Sequence, residues 1–139
     1  MNTFQVQILE ADRPFYRGEC ESLTVPTIDG QHGILAGHSN MIVAVVPGTL
    51  RYRIPGEKDQ YAAVSYGLVK IEHGEVLILV DSAERPEEID ANRARRAADA
   101  AKEALQQKRS IQEYRQAQTT LARAINRLRV KKDFQSWNK

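Results

Sequence analysis

The sequence predicts a β + α protein: an N-terminal antiparallel β-sandwich, or flattened barrel, followed by an antiparallel two-helix hairpin. Three observations predict it. The spacing of apolar residues changes from period 2 to period 3.6 near residue 87. Glycine and proline punctuate the chain before that point and are absent after it. The charge also changes sign there. Through Glu87 the chain carries seven Lys/Arg against twelve Asp/Glu, a net of −5, whereas 88–132 carries twelve against five, a net of +7. The expected domains are therefore 1–86 (sandwich), 87–132 (hairpin) and 133–139 (C-terminal tail). An asymmetry of this size predicts a basic appendage seeking an anionic partner, joined to a body with another task.

The strands follow from alternation. Phe4, Val6 and Ile8 alternate with Gln5 and Gln7, which gives a half-buried strand. Arg13–Gly18 reads as a turn with a short strand. Leu23 and Val25 form the next strand, which Pro26 is expected to stop. Ile28–Gly37 contains three glycines and reads as a structured loop. Met41–Val46 is an uninterrupted apolar run ended by Pro47-Gly48, and predicts a strand buried on both sides. Leu50, Tyr52 and Ile54 alternate with polar neighbours as far as Pro55-Gly56. Tyr61–Ser65, Leu68–Ile71 and Val76–Val80 complete the set, with His73-Gly74-Glu75 as a tight connection. Turn signals roughly every 8–12 residues, with no helical crossovers, predict antiparallel pairing.

The helices follow from the later pattern. Ala94, Ala97, Ala98, Ala101, Ala104 and Leu105 share one stripe of a first helix. Glu87, Glu88 and Asp90 are expected in its first turn, and Lys102 and Lys108 towards its end, as the helix dipole favours. Ser110-Ile111-Gln112-Glu113 matches a capping box that opens a second helix. Its expected apolar stripe is Tyr114, Ala117, Leu121, Ala124, Ile125 and Leu128. A methyl is worth roughly 0.8 kcal/mol when buried, so an alanine stripe gives at most about 4 kcal/mol. Ordering costs about 1–2 kcal/mol per residue. A hairpin of this composition is expected to dock weakly and to detach without unfolding the sandwich.

Composition excludes several classes. Cys20 is the only cysteine, which excludes an internal disulfide and a multi-cysteine metal site. The N-terminus lacks a basic region and a long apolar run, so no signal peptide is expected. Nowhere do about 18 apolar residues run together, so no membrane span is expected. Phosphate-loop, G-x-S-x-G and H-E-x-x-H patterns are missing. His32, His38 and His73 are scattered over loop-like segments, so neither a catalytic centre nor a metal site is expected.

Two clusters remain. One is the loop Gly33-Ile34-Leu35-Ala36-Gly37-His38, whose glycines allow close backbone approach. The other surrounds the sheet-to-helix junction. Asp90 and Arg93 lie three apart at a helix start, and Arg123 and Arg127 four apart on the second helix. The arginines could offer forked donors to phosphates while Asp90 accepts from a base or ribose; interhelical ion pairing on a solvated face is the plainer alternative.

These residues carry a family resemblance. Gly33–His38 resembles the G-I-L-P-G-H loop of the epsilon subunit of bacterial F-type ATP synthase. Ala83-Glu84-Arg85 with Ile89–Ala94 resembles that family's A-E-R and I-D-x-x-R-A segments, and Ala124–Leu128 is similar to its second-helix motif. The resemblance runs from end to end in the same order. It implies a non-catalytic rotor subunit whose sandwich packs on the gamma subunit and the c-subunit ring, the loop Gly33–His38 taking part. The resemblance implies a hairpin that lies compact or extends along gamma towards the alpha and beta subunits, where it restrains ATP hydrolysis. It also implies a peripheral position on the cytoplasmic side of the cell membrane, and ATP as a regulatory ligand at Glu84, Asp90, Arg93, Arg123 and Arg127. No metal or obligatory cofactor is implied. Three positions depart from the pattern: Ala100 replaces an arginine of the ATP-binding members, with Arg96 one turn away; Ala36 replaces the loop proline; and Tyr66-Gly67 replaces a paired glycine. The alternative from another class is a nucleic-acid-binding module using the basic helices, for which interleaved aromatics are lacking.

Overall fold

The computed structural model describes residues 2–11, 13–107 and 110–137, with Trp137 described by its backbone alone. Lys108, expected near the end of the first helix, lies outside the described residues. The chain divides into two compact units, Met1–Glu84 and Arg85–Lys139.

The first unit is a ten-stranded sheet folded on itself around one core. Its strands are β1 (Phe4–Glu10), β2 (Arg13–Cys20), β3 (Ser22–Thr27), β4 (Gly30–Ile34), β5 (Met41–Val45), β6 (Gly48–Arg53), β7 (Asp59–Val64), β8 (Gly67–Glu72), β9 (Glu75–Val80) and β10 (Ala83–Glu84). They lie in the order β10-β7-β6-β3-β5-β8-β9-β1-β2, and β4 pairs with β3. Pairing is antiparallel except between β1 and β9, which run parallel. The seven strands between those two make the return path, so no crossover helix is needed.

Alternation sets which face is buried. Phe4, Val6 and Ile8 of β1, Leu50 and Tyr52 of β6, Val69 and Ile71 of β8, and Val76, Ile78 and Val80 of β9 all point into the core. The Tyr16 ring of β2 lies against Tyr52 with centroids 5.1 Å apart. Three strand expectations need correction. Arg13–Cys20 is one full strand rather than a turn with a short strand. Pro26 does not stop β3: it sits within the strand, opposite Gln31 of β4. Residues 30–34, assigned to a loop, form that hairpin partner.

The largest departure concerns β5. Its continuous apolar run predicted burial on both faces, yet only alternate residues turn inward. Val45 is buried, whereas Ile42 is 69% exposed and Ala44 is exposed. The run is apolar on both faces because the outer face belongs to a larger apolar surface described below.

The second unit begins with one 3-10 turn, Pro86–Glu88, followed by α1 (Ala91–Gln106) and α2 (Ile111–Trp137). Glu87 and Glu88 therefore precede α1 rather than forming its first turn. Asp90 is the N-cap, its carboxylate accepting from the Arg93 amide at 3.1 Å. The two helices pack on each other, and Lys131 Nζ donates to the Pro86 carbonyl at 3.2 Å, so α2 runs back to the start of its own unit. Ala94, Ala98 and Ala101 are the buried positions of α1.

Helix α2 extends to Trp137 and takes in much of the stretch set apart as a tail, 133–139. Its buried set also differs from the expected stripe. Ala117 and Ala124 are buried, together with Asn126 and Val130, while Tyr114 and Ile125 are exposed. Residues 111–116 are exposed, so the buried face of α2 begins only at Ala117, and over a 27-residue helix at 3.6 residues per turn that face drifts off a straight heptad line.

The capping box is present in its first half: the Glu113 amide donates to Ser110 Oγ at 3.2 Å. Ser110→Ala is expected to cost about 1 kcal/mol of hairpin stability. A helix-monitored urea or thermal melt that superimposes on the parent's would rule out that cap.

Candidate functional site

The outer face of the sandwich has a built pattern that sequence inspection missed. Strand register places Ala44 beside Leu68, Leu68 beside Leu79, and Leu79 beside Leu9, a wholly apolar row across β5, β8, β9 and β1. A second row runs Ile42, Lys70, Leu77, Gln7 through the same strands. Leu68 and Leu79 are each more than one-third exposed, beyond the still more open Ile42, and Leu9 and Leu77 are half-buried. Scattered exposed aliphatics are ordinary, but a contiguous row across four strands marks a contact surface. The signal was available in the two-sided apolar run of β5; it was assigned to the interior because only the interior normally supplies a second apolar face.

The sheet is drawn close at one end of this face. Gly67 opens β8 between Val45 and Val80, and a Cβ there would strike the Leu79 carbonyl oxygen and the Val80 backbone. The glycine of Tyr66-Gly67 is thus needed for strand approach, while the Tyr66 position stays exposed.

The loop Gly33–His38 resolves into two parts. Gly33 and Ile34 finish β4, and Ile34 is buried in the core. Leu35 projects outward, 61% exposed, while Ala36 packs against the core edge. The His38 amide donates to the Leu35 carbonyl at 3.2 Å, and Gly37 has φ of +81°. This is a type II turn, with the left-handed third position that glycine accommodates. Proline suits the second position of such a turn, where this chain has Ala36. Ala36→Pro is expected to raise stability by about 0.4–1 kcal/mol by restricting the unfolded chain. A lowered urea midpoint would show that the turn is of another kind.

Sequence spacing gave no hint that two histidines meet beside this turn. His32 of β4 and His38 come together, Nε2 to Nε2, at 3.1 Å.

The five phosphate-site candidates are distributed over both units. Glu84 lies on β10, paired opposite Ala63 in the first unit. The other four belong to the second. Asp90 and Arg93 meet through the capping hydrogen bond, with the Arg93 side chain exposed. That backbone bond, foremost, together with the charges of Arg96 and Arg93, holds the Asp90 carboxyl below the usual carboxylate range. The carboxylate is therefore anionic and already engaged as a cap. Arg123 and Arg127, one turn apart on α2, are half-buried rather than fully solvated. Ala100 is exposed on α1.

Catalytic chemistry finds no nucleophile in Cys20. The thiol is fully buried, and loss of solvation raises it to about 11, against a smaller opposing effect of the Tyr16 hydroxyl. Among the described residues, no helix is long and apolar enough to cross a membrane.

Comparison with known proteins matches both units. Residues 3–86 fit the family model described as ATP synthase, Delta/Epsilon chain, beta-sandwich domain. Residues 87–132 fit the model of the same chain's long alpha-helix domain. The chain is 44% identical over 128 residues to the ATP synthase epsilon chain of Ruminiclostridium cellulolyticum, covering 92% of this chain and 95% of that protein. It is 39% identical over 130 residues to the ATP synthase epsilon chain of Caldicellulosiruptor saccharolyticus, covering 94% of each. A chain in the cryo-EM structure of the Euglena gracilis mitochondrial ATP synthase OSCP/F1/c-ring shares the fold, with a TM-score of 0.74 at 24% identity over 86% of this chain and 76% of that one. The alternative of a nucleic-acid module finds no support in these likenesses.

Proposed function

The chain belongs to the ATP synthase delta/epsilon family, and from that membership we propose that it is the epsilon-type subunit of a proton-translocating F-type ATP synthase. It is non-catalytic in itself and works in the central stalk, turning with the rotor and coupling rotation to ATP synthesis. The observation that carries this is the apolar row Ala44-Leu68-Leu79-Leu9, left open on a small, otherwise well-packed sandwich. An apolar sheet face of this kind fits a permanent partner rather than a transient one. We assign it to the gamma subunit, and the turn carrying Leu35 to the c-subunit ring. The position is then peripheral, at the cell membrane on its cytoplasmic side, held there through the ring. A tagged copy recovered from detergent-solubilised membranes should bring gamma and c subunits with it; recovery of the chain alone would defeat the assignment.

The second unit supplies regulation. Its excess of basic side chains suits acidic surfaces on the alpha and beta subunits, and the alanine-lined α1 suits a module that exchanges positions. In the extended position it restrains ATP hydrolysis. We assign ATP to the folded-back hairpin as a regulatory ligand, with Arg93, Arg123 and Arg127 as phosphate donors and Asp90 fixing the helix start beneath them. ATP binding this form alone would favour it by mass action. Calorimetry with magnesium-free ATP is expected to show one saturable site. Arg93→Ala combined with Arg127→Ala is expected to weaken it about a hundredfold or more, since each charge-assisted contact is worth roughly 1.5–3 kcal/mol. Absence of heat with the parent chain would exclude nucleotide regulation, and the loss of an arginine at Ala100 would be its physical reason.

A further inference from the structure

We propose that His32 and His38 form a binding site for one divalent transition-metal ion of the zinc type. The site is independent of the docking assignment above. Its geometry comes from the backbone: His32 sits on β4, opposite Val25 of β3, and His38 closes the turn that follows β4. The rings meet edge to face, with centroids 5.2 Å apart and planes at 70°. Their Nε2 atoms are 3.1 Å apart.

The proton positions follow from the neighbours. His38 Nδ1 is 2.8 Å from the Ser39 carbonyl oxygen, which can only accept, so Nδ1 carries the hydrogen. In the neutral ring the His38 Nε2 lone pair then faces His32. Without metal, His32 Nε2–H donates to it. With metal, the His32 proton moves to Nδ1 and both Nε2 lone pairs face the ion, with no net proton change.

The separation suits this exchange. Two imidazole nitrogens bound to one tetrahedral zinc at about 2.0–2.1 Å stand roughly 3.3 Å apart, so the nitrogens would part by about 0.2 Å while each ring turns to aim its lone pair at the ion instead of at the other ring. The Ser39 carbonyl already supplies the outer hydrogen bond that usually orients a metal-bound histidine. No group of three or more His, Cys, Asp or Glu side chains suited to a metal occurs among the described residues. Water would therefore complete the coordination, giving an open capture site rather than a closed structural one. Occupancy would tie β4 to the turn that presents Leu35.

The test is a titration of the full chain with zinc chloride, followed through histidine imidazole NMR signals, with magnesium chloride as control. The expected result is a saturable one-to-one shift of His32 and His38 with His73 unmoved, and no response to magnesium. His32→Gln and His38→Gln should each weaken binding about tenfold or more while leaving the circular dichroism unchanged. The proposal is overturned if the parent shows no saturable shift up to millimolar zinc, if His73 moves in step, or if either folded variant binds as tightly as the parent.

Discussion

Ile42→Asp combined with Leu68→Asp is expected to leave the chain folded and unable to join its complex. Both side chains are exposed, on β5 and β8, and neither contributes to the core. Substitution there should leave thermal unfolding almost unchanged, as surface replacements usually do. Association responds differently. Each aliphatic side chain covered by a partner contributes roughly 1.5–3 kcal/mol, and that contribution is lost. Each carboxylate carried into the interface loses its water without gaining a cation, at a cost of several kcal/mol. Lys70, the neighbour across from Ile42, is already paired with Glu72 at 2.8 Å and cannot compensate fully. The summed effect exceeds about 3 kcal/mol, or more than a hundredfold in affinity for the stalk. Size-exclusion co-elution with a purified gamma subunit measures it. A double variant that co-elutes like the parent would move the docking surface elsewhere, with the turn at Leu35 the first alternative.

Removal of everything after Glu88 is expected to raise ATP hydrolysis by the assembled enzyme while leaving assembly intact. The division at Glu84 places every residue of the main core, Phe4 to Ala83, in the first unit, so the truncated chain retains it complete. The apolar row is likewise retained. What is lost is the basic pair α1 and α2, on which the proposed restraint of hydrolysis depends. Allosteric coupling between sites typically amounts to about 1–3 kcal/mol, so the rate should rise about fivefold or more. Unchanged hydrolysis in a complex that contains the truncated chain would remove the inhibitory role while sparing the stalk assignment.

The parts legible in the sequence are those whose local pattern has one physical solution. Leu50 and Tyr52 alternating with Arg51 and Arg53 can only form a one-sided strand, and they do so in β6. Ser110 followed by Glu113 starts a helix, and the predicted hydrogen bond is present. Errors arose where context decides. The glycines and polar residues of β4 look like a loop, because a strand paired off the main sheet path needs little apolar content. Met41–Val46 looks like an interior strand, because its own pattern does not distinguish a core from a partner. Acidic residues before α1 were placed inside the helix because the 3-10 turn at Pro86–Glu88 and the cap at Asp90 intervene without changing composition. The candidate site was legible in the same measure. The turn at Leu35–His38 followed from its glycines, whereas the His32–His38 encounter depends on a hairpin that spacing alone did not reveal.

Cross-linking from the β5 face bears most directly on the stalk assignment. Ile42→Cys supplies an accessible thiol, while native Cys20 is buried and has its thiol raised to about 11, so a maleimide photoprobe labels the new site selectively. Illumination of membranes containing this labelled chain is predicted to give one dominant adduct with the gamma subunit. An adduct-free chain, or equal cross-linking from a probe on the outward-facing Arg51 position of β6, would contradict the account.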